Sequence, residues 1–86
     1  MTRLWSMGES ITVEETALAN RAPRRFHWQA QTHQVLEVTQ TWRVDVDWWR
    51  TRIWRTYFKL STDTGLLVII YQDLIDQQWY LQRLYD

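Results

Sequence analysis

The chain has 86 residues, 45% of them hydrophobic and 15% aromatic, with ten basic and ten acidic side chains and no cysteine. That length accommodates one domain, and the missing cysteine excludes disulfides, a thiolate zinc site and a thiol nucleophile. Zero net charge excludes capture of nucleic acid by bulk charge, and the longest apolar run, residues 66–71, falls far short of the roughly 18–20 needed to span a bilayer.

A cytoplasmic protein with no membrane partner is therefore expected. A domain this small buries only about 60–65% of the surface that its unfolded chain exposes. Seven Trp, four Tyr and two Phe supply large side chains for the core.

Taken in chain order, the opening MTRLWSMGES has no apolar stretch or small-residue cleavage site of a signal peptide. Residues 1–9 read as a flexible N-terminal arm, ahead of a single domain over residues 10–86. Ile11 and Val13 suggest a short first strand, while Thr12-Val13-Glu14-Glu15 also fits a helical capping box, giving one helical turn up to about Asn20. Pro23 ends that segment and starts a hairpin. Phe26 and Trp28 alternate with Arg25, His27 and Gln29, and Gln29-Ala30-Gln31 makes the tight turn.

Next, Leu36, Val38, Gln40, Trp42 and Val44 share one face, with Val35, Glu37, Thr39, Thr41 and Arg43 on the other. That predicts a long strand with one buried side. Trp54, Thr56, Phe58 and Leu60 alternate with Arg55, Tyr57 and Lys59 in a further strand, which stops at residues 61–65, where Gly65 can take the positive φ of a turn. The run LLVIIY is apolar on both sides and predicts a central strand; residues 74–77 reverse the chain into a last strand over residues 78–85. The expected fold is mainly β, about six antiparallel strands in a strongly twisted sheet or partly open barrel.

The segments PRRFHWQAQTHQVLEV, TWRVDVDWWR, RTYFKLSTDTG and WYLQRLYD, in this order, resemble a small uncharacterised bacterial family. They are also similar to a domain at the carboxyl end of inactive Y-family DNA polymerase subunits of the mutagenic repair system. The resemblance covers about residues 10–86. It singles out Pro23, Phe26, Trp28, Val35, Val38, Trp42, Trp48, Trp49, Tyr57, Gly65, Trp79, Tyr80 and Tyr85, with Ala30 standing where a glycine would commonly close the turn. It implies an accessory module in DNA repair or damage tolerance with no chemistry of its own.

Catalytic constellations are missing from the sequence. Ser6, Ser10 and Ser61 lie in no triad context, and Gly8 and Gly65 are isolated, so no phosphate-cradling loop exists. Asp45 and Asp47 sit two apart on one strand face and read as solvated charges beside Arg43 and Arg50 rather than a carboxylate pair for catalysis. His27, His33 and Glu37 offer zinc-type ligands but read as two exposed strand histidines and a surface acid. The expectation is no enzyme, no cofactor and no metal.

The stretch DVDWWRTRIWRTYF carries the candidate surface. Residues 21–59 hold eight basic against three acidic side chains, a net of +5, and nine of the ten cations are arginine. Trp42, Trp54 and Phe58 read as core. Trp48 and Trp49 are neighbours that must face opposite ways, leaving one exposed. Arginine among exposed rings is how single strands are gripped, by stacking and phosphate contact. Arg43, Trp48, Trp49, Arg50, Arg52, Arg55 and Tyr57 are thus the candidate residues for single-stranded or distorted DNA. The same residue types also build protein interfaces, so a DNA-repair protein or a second copy of the chain is the other partner implied. Intramolecular cation–π contact would consume the same side chains without any partner.

Overall fold

The computed structural model describes residues 2–18, 21–48 and 51–85. Six strands follow one another: β1 (Arg3–Thr16), β2 (Pro23–Trp28), β3 (Gln31–Trp48), β4 (Thr51–Thr62), β5 (Leu67–Asp73) and β6 (Trp79–Tyr85). Each pairs antiparallel with the next, and β6 returns to β1, so strand order around the closed barrel is strand order along the chain. The short connections at residues 29–30, 63–66 and 74–78 allow only neighbours to pair there. The ring is uneven: β2 and β3 share just the register from Arg25↔Gln34 to Trp28↔Gln31. The fold is all-β and antiparallel, as the alternation predicts.

Residues 3–9 are not a loose arm. Arg3 and Leu4 pair with Leu84 and Arg83, and Glu9, Ser10 and Ile11 pair with Leu81, Tyr80 and Trp79. Trp5 packs against the core and meets Trp28 edge-on at 5.9 Å between ring centroids. Without this segment β6 would have an open edge, which is the physical reason that it is ordered into the sheet. The capping-box alternative at residues 12–15 is also overruled. Thr12, Val13 and Glu15 pair with His27, Phe26 and Arg25, and Val13 packs on the core, a burial that one helical turn could not match.

The interior is filled by Ile11, Phe26, Trp28, Phe58, Leu60, Val68, Ile70, Leu81 and Leu84. Each fully buried large apolar side chain stabilises by about 1.5–3 kcal/mol before entropy is subtracted. β5 is buried on both sides, as LLVIIY predicts: Val68 and Ile70 point inward, whereas Ile69 and Tyr71 join Tyr57 in a second cluster on the outer face.

β3 departs from simple alternation. Register shifts fall between Val35 and Glu37 and between Val38 and Gln40, so Leu36 and Thr39 are each one residue too many for β4 opposite. Each shift swaps the faces. Val35 and Val38 therefore both pack on the core, Leu36 is 69% exposed, and Trp42 points outward. The expected buried face of Leu36, Val38, Gln40, Trp42 and Val44 is thereby corrected: only Val38 of that set packs on the interior cluster.

The β2–β3 turn has two central residues, Gln29 (φ 52°) and Ala30 (φ 58°). A two-residue hairpin of this kind needs positive φ at both positions, the site where Asn-Gly is favoured. Gly65, at φ 85°, takes the role expected of it.

Candidate interaction surface

The register places four aromatic side chains in one row on the outside of the barrel. Trp42 is opposite Tyr57, Tyr57 opposite Tyr71, and Tyr71 opposite Tyr80. Their ring centroids are 5.3, 5.1 and 5.1 Å apart, with Trp42 and Tyr57 only 4° from parallel. Cross-strand aromatic pairs of this sort stabilise a sheet by roughly 0.2–1 kcal/mol each. At the Tyr80 end, β1 closes over the row: Tyr71 Oη donates to Met7 O at 3.3 Å. Burial raises the Tyr71 phenol above its ordinary pKa, partly offset by Arg55. A hydrogen bond to Asp76 at 2.9 Å raises that of Tyr80. The Trp42 end is open, with that residue 36% exposed.

The candidate residues of the sequence are split by this geometry. Arg55 and Tyr57 lie on the outer face. Arg55 donates to Tyr57 Oη at 3.3 Å and lies 4.5 Å above the Tyr71 ring, and its buried Nε has no hydrogen-bond partner among the described residues. Burial opposes its charge, but the Tyr57 hydrogen bond and nearby groups outweigh this and raise its pKa. Tyr57 is 7% exposed and has Trp42 on one side and Tyr71 on the other, which leaves its ring no open face for a base.

Arg43 and Arg52 belong to the opposite face of the β3–β4 pair, opposite Thr56 and Asp47. Arg52 donates to Asp45 at 3.4 Å and lies 4.7 Å over the Trp54 ring. Both partners of that ion pair are about half exposed, so it contributes no more than about 1 kcal/mol. Arg43 is exposed and borders a cavity of about 170 Å³ with Arg21, Thr56, Phe58, Gln72 and Leu74. Trp49, Arg50 and the Trp48 side chain lie outside the described residues. Of the three aromatics expected in the core, Phe58 is there at 1% exposure, Trp54 is half-buried under Arg52, and Trp42 is on the outer row.

β3 and β4 also reach beyond the barrel. β4 pairs with β5 only as far as Arg55↔Asp73, with one more hydrogen bond from Leu74 N to Trp54 O. Past that point, among the described residues, Val46↔Ile53, Asp47↔Arg52 and Trp48↔Thr51 pair only with each other. On its other side β3 pairs with β2 through residues 31–34, and among the described residues no strand pairs with that edge from residue 35 to 48. The ribbon has two unlike faces. Trp42, Val44, Val46 and Ile53 make an apolar one, with Val46 45% and Ile53 36% exposed; Arg43, Asp45, Asp47 and Arg52 make a charged one.

The remaining polar candidates do not converge. Phe26 is opposite His33 and Thr32 opposite His27, so the two histidines face opposite sides of the hairpin. His27 bonds Glu14 and Thr32 on the outside. His33 is not an exposed strand residue: it is 3% exposed and stacked on Phe26, with Nδ1 bonded to Thr64 Oγ1 at 2.6 Å and Nε2 without a hydrogen-bond partner among the described residues. It borders a cavity of about 280 Å³ together with Arg3, Trp28, Gln31, Leu66 and Leu84. Glu37 is exposed beyond a register shift. Among the described residues no three His, Asp or Glu side chains are grouped to hold a metal, and no helix is long and apolar enough to cross a membrane.

The aromatic row is the feature that sequence reasoning missed; an exposed edge strand was expected, but not its place on β3. Trp42, Tyr57, Tyr71 and Tyr80 are visible as aromatics in separate strands, but only the register aligns them.

A family described as a domain of unknown function, DUF6504, matches residues 2–86. No curated protein and no solved structure matches the chain.

Proposed function

This chain belongs to the DUF6504 family over residues 2–86, and from its geometry we propose a non-enzymatic interaction module that binds a protein partner along the β3–β4 ribbon. One observation carries the reading: the ribbon offers an unpaired strand edge beside an apolar face of Trp42, Val46 and Ile53. An open edge supplies backbone donors and acceptors for an added strand, and the side chains beside it supply specificity. The arginines support the same view, because Arg55 is held on Tyr57 and Tyr71 and the half-exposed Arg52 is already engaged by Asp45 and Trp54. Resemblance to the carboxyl-terminal domain of inactive Y-family polymerase subunits supports a partner from bacterial DNA damage tolerance.

Photo-crosslinking from position 42 tests this. A benzoylphenylalanine replacing Trp42 should give a discrete protein adduct in cells, whereas one replacing Glu14, on the β1–β2 side, should not. Equal labelling from both positions, or none from position 42, defeats the reading.

A second reading, binding of single-stranded DNA, is favoured by the open end of the aromatic row. Trp42 has Tyr57 on one face and stands next to the exposed Arg43. One stacked base contributes about 1–3 kcal/mol. It predicts salt-dependent quenching of tryptophan emission by an oligonucleotide, lost in Trp42→Leu; emission that stays constant at low salt excludes it.

A further inference from the structure

Building on the ribbon reading, we infer that the partner strand is the β3 edge of a second copy, paired antiparallel about a two-fold axis through Val44. Two identical strands in one sheet, related by an axis perpendicular to it, can pair only in registers that keep each side chain on its own face. Registers centred on a residue satisfy this and registers centred between residues do not. The stretch of residues 41–47, TWRVDVD, then has a distinctive property.

Centred on Val44, Trp42 meets Val46 of the second copy and Val44 meets its own counterpart, all on the apolar face. On the other face Arg43 meets Asp45 of the second copy, and Thr41 meets Asp47. Centring on Arg43 would set arginine against arginine, and centring on Asp45 would set aspartate against aspartate. Like charges directly opposite are destabilising, so the charge pattern selects Val44 and penalises its neighbours on either side.

The described structure leaves these groups available. No strand pairs with this edge among the described residues, Asp45 is 51% exposed at its side chain while engaged by Arg52, and Arg43 is exposed. Pairing would cover Trp42 at 36% and Val46 at 45% exposure twice, once in each copy. It would also end the open edge that β3 has among the described residues.

Sedimentation equilibrium of the purified chain is the test. The wild type should show a reversible monomer–dimer equilibrium. Arg43→Asp and Asp45→Arg should each weaken dimerisation by about tenfold or more, since each sets like charges opposite one another. An equimolar mixture of the two variants should recover the dimer, because each copy then supplies the charge that the other lacks, and that recovery also shows that both variants fold. Arg24→Asp, an exposed position on β2 outside the paired stretch, should leave the equilibrium unchanged. A wild type that stays monomeric at high concentration, or variants that remain apart on mixing, overturns the self-pairing. If the monomer persists while position 42 still crosslinks a different protein, the ribbon reading stands without self-pairing; if position 42 labels nothing, both fall.

Discussion

β3 and β4 run together from the barrel into the ribbon, and the same alternation of residues has opposite consequences at the two ends. In the barrel, Phe58 and Leu60 are sealed at 1% and 0% exposure, because they face the interior and β6 and β1 stand across it from them. In the ribbon, Val46 and Ile53 are equally apolar and directly paired, yet stay 45% and 36% exposed. The difference lies in face and surroundings, not in local propensity: Val46 and Ile53 are on the outer face, where among the described residues no element packs over them. The barrel end is fold; the ribbon end is surface, available for a partner.

Truncation separates the two ends most sharply. Phe58→Ala leaves a cavity in the interior, for which about 3–5 kcal/mol is the usual cost, a large share of the roughly 5–15 kcal/mol that stabilises a typical domain. Ile53→Ala should shift stability by only about 0.5 kcal/mol, as for an exposed position. Urea unfolding of both variants measures the contrast, and comparable losses would show that the ribbon is part of the cooperative core.

A smaller effect probes the aromatic row, which lies outside the barrel but inside the fold. Gly8 has φ 75°, and a Cβ there would lie 2.5 Å from Tyr71 Oη and 2.9 Å from Tyr80 Cβ. Tyr71 is 2% exposed and cannot swing away freely. Gly8→Ala combines a left-handed backbone with overpacking, and should destabilise by about 1–3 kcal/mol. Near-ultraviolet circular dichroism should report the disturbed row; an unchanged spectrum and melting curve would mean that β1 does not clamp it.

The third effect has the opposite sign. Ala30, at φ 58°, occupies a position where a side chain is strained by about 1–2 kcal/mol. Ala30→Gly removes that strain but loosens the unfolded chain, so a net gain of about 0.5–1 kcal/mol is expected. A lowered melting temperature would show that the left-handed turn does not govern this hairpin.

How much of this was legible in the sequence follows from which interactions are local. The strands from Phe26 onward could be read because period-two alternation and turn residues act over a few positions. The central placement of LLVIIY could be read because its residues are apolar on both sides. The two register shifts in β3 could not: Leu36 and Thr39 carry no special residue type, and only the pairing with β4 reveals them as extra. The rest of β3 inherited that slip, including the placing of Trp42 in the core. Closure through residues 3–11 was hidden for a related reason, since MTRLWSMGES is polar and glycine-bearing, and its strand character comes from β6 across the ring. The candidate arginines were visible as a cluster, but neighbours in sequence alternate faces, so Arg52 and Arg55 were destined for different surroundings.

The smallest effect concerns the barrel's outer surface, away from the ribbon. Glu14 accepts from His27 and pairs with Arg25 at 3.5 Å. The His27 hydrogen bond, against a small burial cost, holds its carboxyl below the ordinary carboxylate range. A carboxylate whose pKa is lower in the folded than in the unfolded chain binds fewer protons when folded, so its stabilising contribution is present above the ordinary range. That contribution is lost as pH falls through the lowered folded value. Glu14 is exposed, so the effect is slight and screened by salt. Glu14→Gln should therefore be marginally less stable than the wild type at neutral pH, with the two urea midpoints converging in acid and at high salt. A gap between them that stays constant with pH would mean that the carboxylate charge on β1 contributes nothing to holding β2.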